Sequence, residues 1–187
     1  LLGFIFFGPM INTFLIWLLN NLHNKNIDKF LLCSREGYFL LNLIKKIEQK
    51  KYYKFPKYSY FKTSRKLAIN SALYNFDDIL NSFKIHRFRG TEKDLLFNRF
   101  TVKSVKNYKD KIILDSIKNP KQLKKILKKN EKVILKNSSI IRKNYMRYVK
   151  SEIKSFKNIA FIDQGFNGTV KSKISLLFKR KFFGFYF

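Results

Sequence analysis

Three short polar segments carry most of the chemistry open to this chain: Ser34-Arg35-Glu36-Gly37, Thr63-Ser64-Arg65 and Asp163-Gln164-Gly165-Phe166-Asn167-Gly168-Thr169. In the first, Arg35 offers a planar guanidinium fork suited to phosphate or carboxylate. Ser34 can cap a helix, and Gly37 allows positive φ or a close backbone approach. The same residues without a ligand make a helix start with a solvated Arg35–Glu36 pair. The second segment repeats the pairing of hydroxyl and arginine in Ser64 and Arg65. The third is the most specific. Gly165 and Gly168, with Asn167 between them, leave backbone amides able to cradle an anion, and Thr169 adds a hydroxyl at a helix start. Asp163 can hold a ribose hydroxyl, a metal-bound water or a proton, or simply cap the following helix. The segment lacks the Gly-Lys-Ser/Thr ending of a Walker A loop and does not match Gly-x-Gly-x-x-Gly.

Each segment follows an apolar run that reads as a strand. Phe30-Leu31-Leu32-Cys33 is continuous, as expected of a strand buried on both faces; Tyr58 to Thr63 and Asn158 to Ile162 are the others. Helices follow: Tyr38, Leu41, Leu43, Ile44 and Ile47 recur at helical spacing, a helix is expected from Lys66 to Tyr74, and Val170, Ile174, Leu177 and Phe178 mark another. Ahead of them, Pro9 suits the first turn of a helix running to His23, with Ile11, Phe14, Leu15, Leu18, Leu19 and Leu22 on its buried face. The uninterrupted apolar stretches around Gly8-Pro9 are too short to span a bilayer. Residues 76–156 differ in texture, with Lys-rich amphipathic helices expected over 77–85, 91–100 (opened by Thr91 and Asp94), 120–129 and 138–156. Phe182 to Phe187 is a candidate last strand. The alternation predicts an α/β fold: an open, mostly parallel Rossmann-like sheet with a Lys-rich helical insertion or lid. The expected organisation is a first α/β half over 1–75, the insertion over 76–157 and a second α/β part over 158–187. In such sheets ligands bind beyond the carboxyl ends of the strands, so the three segments are expected to share one crevice.

Composition narrows the classes. Among 187 residues, 45% are hydrophobic and 17% aromatic, enough apolar surface to exclude intrinsic disorder. One cysteine, Cys33, excludes an intrachain disulfide framework and any zinc site of several thiolates. It reads as buried and inert. Two histidines, His23 and His86, leave no catalytic Ser–His–Asp or Cys–His set and no histidine-rich metal site. The net charge of +28 comes mainly from lysine, with only eight arginines, so nucleic-acid binding is not the favoured reading, although such a field attracts phosphates and anionic headgroups. Asp77-Asp78 reads as a helix start. The chain starts at Leu1 without methionine and stops at Phe187 inside an apolar run, as a fragment of a longer protein would.

Taken together, Gly8-Pro9 with Trp17-Leu18, Phe30 to Gly37, Thr63-Ser64-Arg65 and Phe161 to Thr169 resemble the region downstream of the phosphatase domain in bacterial predicted hydrolases of the haloacid-dehalogenase (HAD) superfamily. Those proteins occur beside or fused to glycosyltransferases of surface-polysaccharide synthesis. The superfamily's Asp-x-Asp signature occurs nowhere in this chain, so phosphatase chemistry is not assigned to it. The resemblance implies a cytoplasmic protein, peripheral to the inner membrane, with a glycosyltransferase as partner. A looser likeness to phosphoribosyltransferases rests on the same loops, but their paired acids are here Asp163-Gln164. The expectation is a domain binding a phosphorylated sugar or nucleotide sugar, with Mg2+ as an accompanying cofactor; if an enzyme, it is a hydrolase or a glycosyl or phosphoribosyl transferase. Arg35 and Arg65 would clamp phosphate, and Asp163 would orient or deprotonate a hydroxyl. The alternatives are a basic module docking on nucleic acid or an anionic membrane, and a scaffold in which the loops only cap helices.

Overall fold

The computed structural model describes residues 3–85, 87–102, 113–163 and 168–187. In chain order, a π-helical turn (Gly3–Phe7) precedes α1 (Gly8–Asn24), β1 (Lys29–Cys33), α2 (Glu36–Gln49), β2 (Lys57–Phe61), α3 (Arg65–Ser71) and α4 (Phe76–Ile85). There follow β3 (Arg89–Gly90), a π-helical segment (Asp94–Arg99), β4 (Leu114–Asp115), α5 (Pro120–Lys129), α6 (Glu131–Ile153), β5 (Ile159–Asp163), α7 (Thr169–Phe178) and β6 (Phe183–Tyr186). The chain divides into two compact units, Leu1–Ser64 with Ser151–Phe187, and Arg65–Lys150.

The first unit holds a four-stranded sheet in the order β2-β1-β5-β6, parallel throughout. This is the open, Rossmann-like α/β sheet that the sequence predicts. β1 is buried along its whole length because it is central and covered on both faces, which is why its sequence shows no polar alternation. On one face Phe30, Leu32, Ala160, Ile162 and Phe185 pack against α1 (Phe14, Leu15, Leu18, Leu19, Leu22) and α2 (Leu40, Ile44). On the other, the rings of Phe61, Phe161 and Phe182 meet in succession at 5.5 and 5.4 Å. Lys29 opens β1 on that second face. Its ammonium donates to Glu152 Oε2 at 2.8 Å and to the Glu152 carbonyl at 3.0 Å, while Ser59 Oγ donates to the same Oε2 at 2.8 Å.

Three expectations shift. Gly8-Pro9 does not interrupt the apolar N-terminal stretch, because the π-helical turn ahead of it feeds α1 with Pro9 in the first turn, where no amide is needed. The buried face of α2 centres on Gly37, Leu40 and Ile44, and Tyr38 points outward. Gly37 sets this rotation by lying against the Leu32 backbone. α6 begins at Glu131 rather than Ser138, anchored by Ile134 in the second unit's core with Leu95, Leu96, Leu114, Leu123 and Leu127.

In the second unit, Thr91 and Asp94 form the expected cap: the Asp94 amide donates to Thr91 Oγ1 at 3.1 Å and the Thr91 amide to Asp94 Oδ2 at 3.0 Å. Asp78 likewise opens α4, accepting the Tyr74 amide at 2.8 Å. The two-residue antiparallel ribbon β3–β4 was not legible beforehand.

Candidate functional site

From β1 the chain passes through α2 to β2 on one side; from the adjacent β5 it passes through α7 to β6 on the other. α2 packs on the face of Leu32 and Ile162, whereas α7 starts over the opposite face, where Lys171 Cδ lies 3.0 Å from the Cβ position of Gly184. The carboxyl ends of β1 and β5 are therefore the point at which the strand order diverges, the place where open α/β sheets bind ligands.

On the β1 side, a single residue turns the strand into the helix. Arg35 has φ 76° and ψ −97°, a conformation that costs a non-glycine residue about 1–3 kcal/mol. Its neighbours hold it there. Ser34 Oγ accepts the Thr63 amide at 3.1 Å and donates to the Thr63 carbonyl, the Arg35 amide donates to Tyr60 Oη at 3.1 Å, and the Arg35 carbonyl accepts the Tyr38 amide at 3.0 Å. A Cβ on Gly37 would fall 2.8 Å from the Leu32 carbonyl carbon, so only glycine lets α2 start this close to the strand. Such a strained strand–turn–helix corner presents one side chain at the carboxyl end of the sheet. Here it is Arg35, 77% exposed, with Nε 3.7 Å from Glu36 Oε2. The expected Ser34 cap is not made, because its hydroxyl is committed to Thr63, and no side chain caps α2.

On the β5 side, Asp163 ends the strand in register with Tyr186. Burial, and then the Asp163 charge, push the Cys33 thiol well above the usual range, which keeps this buried cysteine protonated and unreactive. Burial, Asp163 and Cys33 likewise raise the Tyr186 phenol. These three groups thus sit together at the carboxyl end of one sheet face. Tyr186 Oη occupies the space that a Cβ on Gly168 or Gly184 would take, and Gly168 adopts φ 53° just before α7. Thr169, the first residue of α7, is buried. Gly165 and Asn167 lie outside the described residues.

Of the expected site residues, Ser34, Arg35, Glu36, Gly37, Asp163, Gly168 and Thr169 gather at the β1 and β5 ends of the first unit, and Ser64 closes that unit's first stretch. Arg65 belongs to the second unit, where it opens α3. The sequence marks Tyr60 and Tyr186 only as strand aromatics; in the structure their hydroxyls face the corner and Gly168 respectively. Among the described residues, no group of three or more His, Cys, Asp or Glu is placed to hold a metal ion. No protein-family model matches this chain, and no curated protein matches it.

Proposed function

We propose that the first unit binds a phosphorylated sugar or nucleotide sugar at the carboxyl ends of β1 and β5. The observation that carries this reading is the Arg35 corner, an exposed guanidinium held in a strained turn at the divergence of strand order, beside a strand that ends in Asp163. Arg35 would grip phosphate through its fork, helped by the first amides of α2, which no side chain caps. Asp163 would accept a sugar hydroxyl, and could take its proton if a transfer follows. The glycan context comes from the resemblance of these loops to the region downstream of the HAD phosphatase domain. Calorimetric titration with UDP-glucose and glucose 1-phosphate tests the reading. Losing a hydrogen-bonded charge costs about 1.5–3 kcal/mol, so Arg35→Ala is expected to weaken both ligands by roughly 10- to 100-fold. Asp163→Asn is expected to weaken them while sparing inorganic phosphate. Unchanged affinities in both variants would sink the proposal.

A second reading, docking on an anionic membrane, is favoured by the N-terminal helical stretch. Ile5–Asn24 is long and apolar enough by length and composition to cross a bilayer, with 28% of its apolar window buried. Ile5, Phe6, Phe7, Met10, Ile16 and Trp17 are exposed. Beside them Phe7, Ile11, Leu15, Phe39, Leu43 and Ile47 line an apolar groove of about 730 Å3. With a chain charge of +28, such a face suits anionic lipid. Flotation with vesicles containing phosphatidylglycerol should recover the protein, and Phe6→Ser/Phe7→Ser should abolish recovery; equal flotation of the two would remove this reading.

A further inference from the structure

Helix α6 carries a row of positive charge along its outer face. Lys132, Lys136, Lys143, Arg147 and Lys150 are all exposed. At about 100° per residue these five fall within about 60° of the helix circumference, and at about 1.5 Å per residue they extend over about 27 Å. The core fixes the direction in which the row faces. Ile134, Ser138, Tyr145 and Val149 are buried and lie on the opposite side of the helix. Arg142, off the row, adds a further hold: its guanidinium donates to the Ser71 carbonyl at 2.8 Å and also to the Leu73 carbonyl. All of these residues belong to the second unit.

The row is uncompensated. Among the described residues none of its five cations makes an ion pair, and Glu131, which lies off the row, is engaged by Lys128 Nζ at 2.7 Å. Three of the four steps along the row are i, i+3 or i, i+4, where like charges destabilise a helix and a covering counter-charge relieves it. The surroundings of the row decide which polyanion fits. Single strands are held by stacking their bases on aromatic rings, and no exposed residue of α6 from 132 to 150 is aromatic. A membrane-surface helix holds through an apolar face as well as through charge. The apolar face of α6 is committed to the core, which leaves Val133 and Ile140 exposed beside the row. A nucleic-acid duplex needs neither stacking nor insertion, and it presents about one phosphate charge per 1.7 Å of its axis.

We propose that the exposed face of α6 binds the phosphate backbone of a nucleic-acid duplex without reading its sequence. Net charge alone does not favour nucleic acid, but the alignment of these five charges does. Over about 27 Å a duplex offers about 16 phosphates, enough to meet every cation of the row. Four of the five are lysines, point charges that hold phosphate without a fixed two-pronged geometry, and phosphate contacts carry no sequence information. The proposal uses neither Arg35 nor Asp163 nor the N-terminal helix, so it stands apart from both readings of the first unit.

The test is fluorescence anisotropy of the full chain with labelled DNA and RNA duplexes of about 20 base pairs, each in two unrelated sequences, over about 50 to 200 mM salt. The two sequences of a duplex are expected to bind alike, and comparing DNA with RNA tells which duplex supplies the phosphates. Five phosphate contacts give a slope of log affinity against log salt of about −4.5 or steeper. The triple variant Lys136→Gln/Lys143→Gln/Arg147→Gln, whose exposed glutamines keep the helix propensity, should make that slope shallower by about 2.7. Removing the same charge from the first unit, with Lys45→Gln/Lys46→Gln/Lys50→Gln at the end of α2, should leave the slope unchanged. Absence of duplex binding at the lowest salt overturns the proposal. Equal slopes in the two triple variants also overturn it, because bulk charge rather than the row would then do the binding. Phosphatidylglycerol vesicles that bind the wild type but not the α6 variant, with no duplex bound, would replace the duplex by a membrane.

Discussion

Gly37→Ala is expected to lower stability by about 2 kcal/mol, seen as a drop in the urea midpoint with an unchanged slope. The added methyl would lie 2.8 Å from the Leu32 carbonyl carbon and 2.9 Å from its oxygen. Leu32 sits in β1 between Tyr60 of β2 and Ile162 of β5, so its backbone is held from both sides and cannot give way. Overpacking of this kind costs about 3 kcal/mol, and alanine's better helix propensity returns about 1. Gly8→Ala supplies the control. Its Cβ would meet only the Gly3 carbonyl oxygen, at an ordinary 3.6 Å, so there the propensity gain should stand alone and stability should rise or hold. Equal behaviour of the two variants would mean that α2 does not start against β1 as described. Because the same methyl displaces the Arg35 corner, Gly37→Ala should also weaken UDP-glucose.

Lys29→Met should be at least as damaging. Lys29 is 9% exposed, and its ammonium is held by Glu152 and lies 5.3 Å from the Phe156 ring centroid. Removing it leaves a carboxylate that keeps 22% exposure and the Ser59 hydroxyl but no counter-charge. Breaking a buried pair costs about 3–5 kcal/mol, and this partial exposure brings the expected loss to about 2–3 kcal/mol. The double variant Lys29→Met/Glu152→Gln should recover much of it, and a failure to recover would show that packing rather than charge is lost. The pair also sets a pH dependence. Burial pushes the Glu152 carboxyl up, but the Lys29 and Ser59 hydrogen bonds and the ammonium charge outweigh it, leaving the folded pKa below the ordinary 4.5. The contribution is complete above about pH 4.5 and fades as acid protonates the folded carboxylate, because the unfolded chain binds the proton first. Unfolding measured from pH 7 to pH 3 should therefore show a shallower acid decline in Glu152→Gln than in the wild type.

The elements that the sequence made legible are those whose burial is local and periodic. β1 and β5 are continuous apolar runs, α5 matches its expected bounds of Pro120 and Lys129, and the buried face of α1 follows the spacing of Phe14, Leu15, Leu18, Leu19 and Leu22. Pairing across long separations left no such mark. Nothing in Leu31 or Phe161 announces that they are strand neighbours, so the divergence of strand order could not be located beforehand. The corner is half legible: the sequence singles out Gly37 for positive φ or close approach, but the positive φ falls on Arg35, and Gly37 serves close approach alone.

The central pairing of β1 with β5 also shapes how the protein must assemble. The two strands meet only after the whole Arg65–Lys150 unit has been made. The thermodynamic penalty for that long excursion is small, since loop-closure entropy grows by only about 0.6 kcal/mol for each doubling of length. Its kinetic effect is larger, because pairings between remote segments form slowly. On the ribosome, β1 can zip onto β2 early, yet the other edge of Phe30, Leu31 and Leu32 stays bare until Ile159–Asp163 emerges, an apolar template open to foreign strands in the meantime.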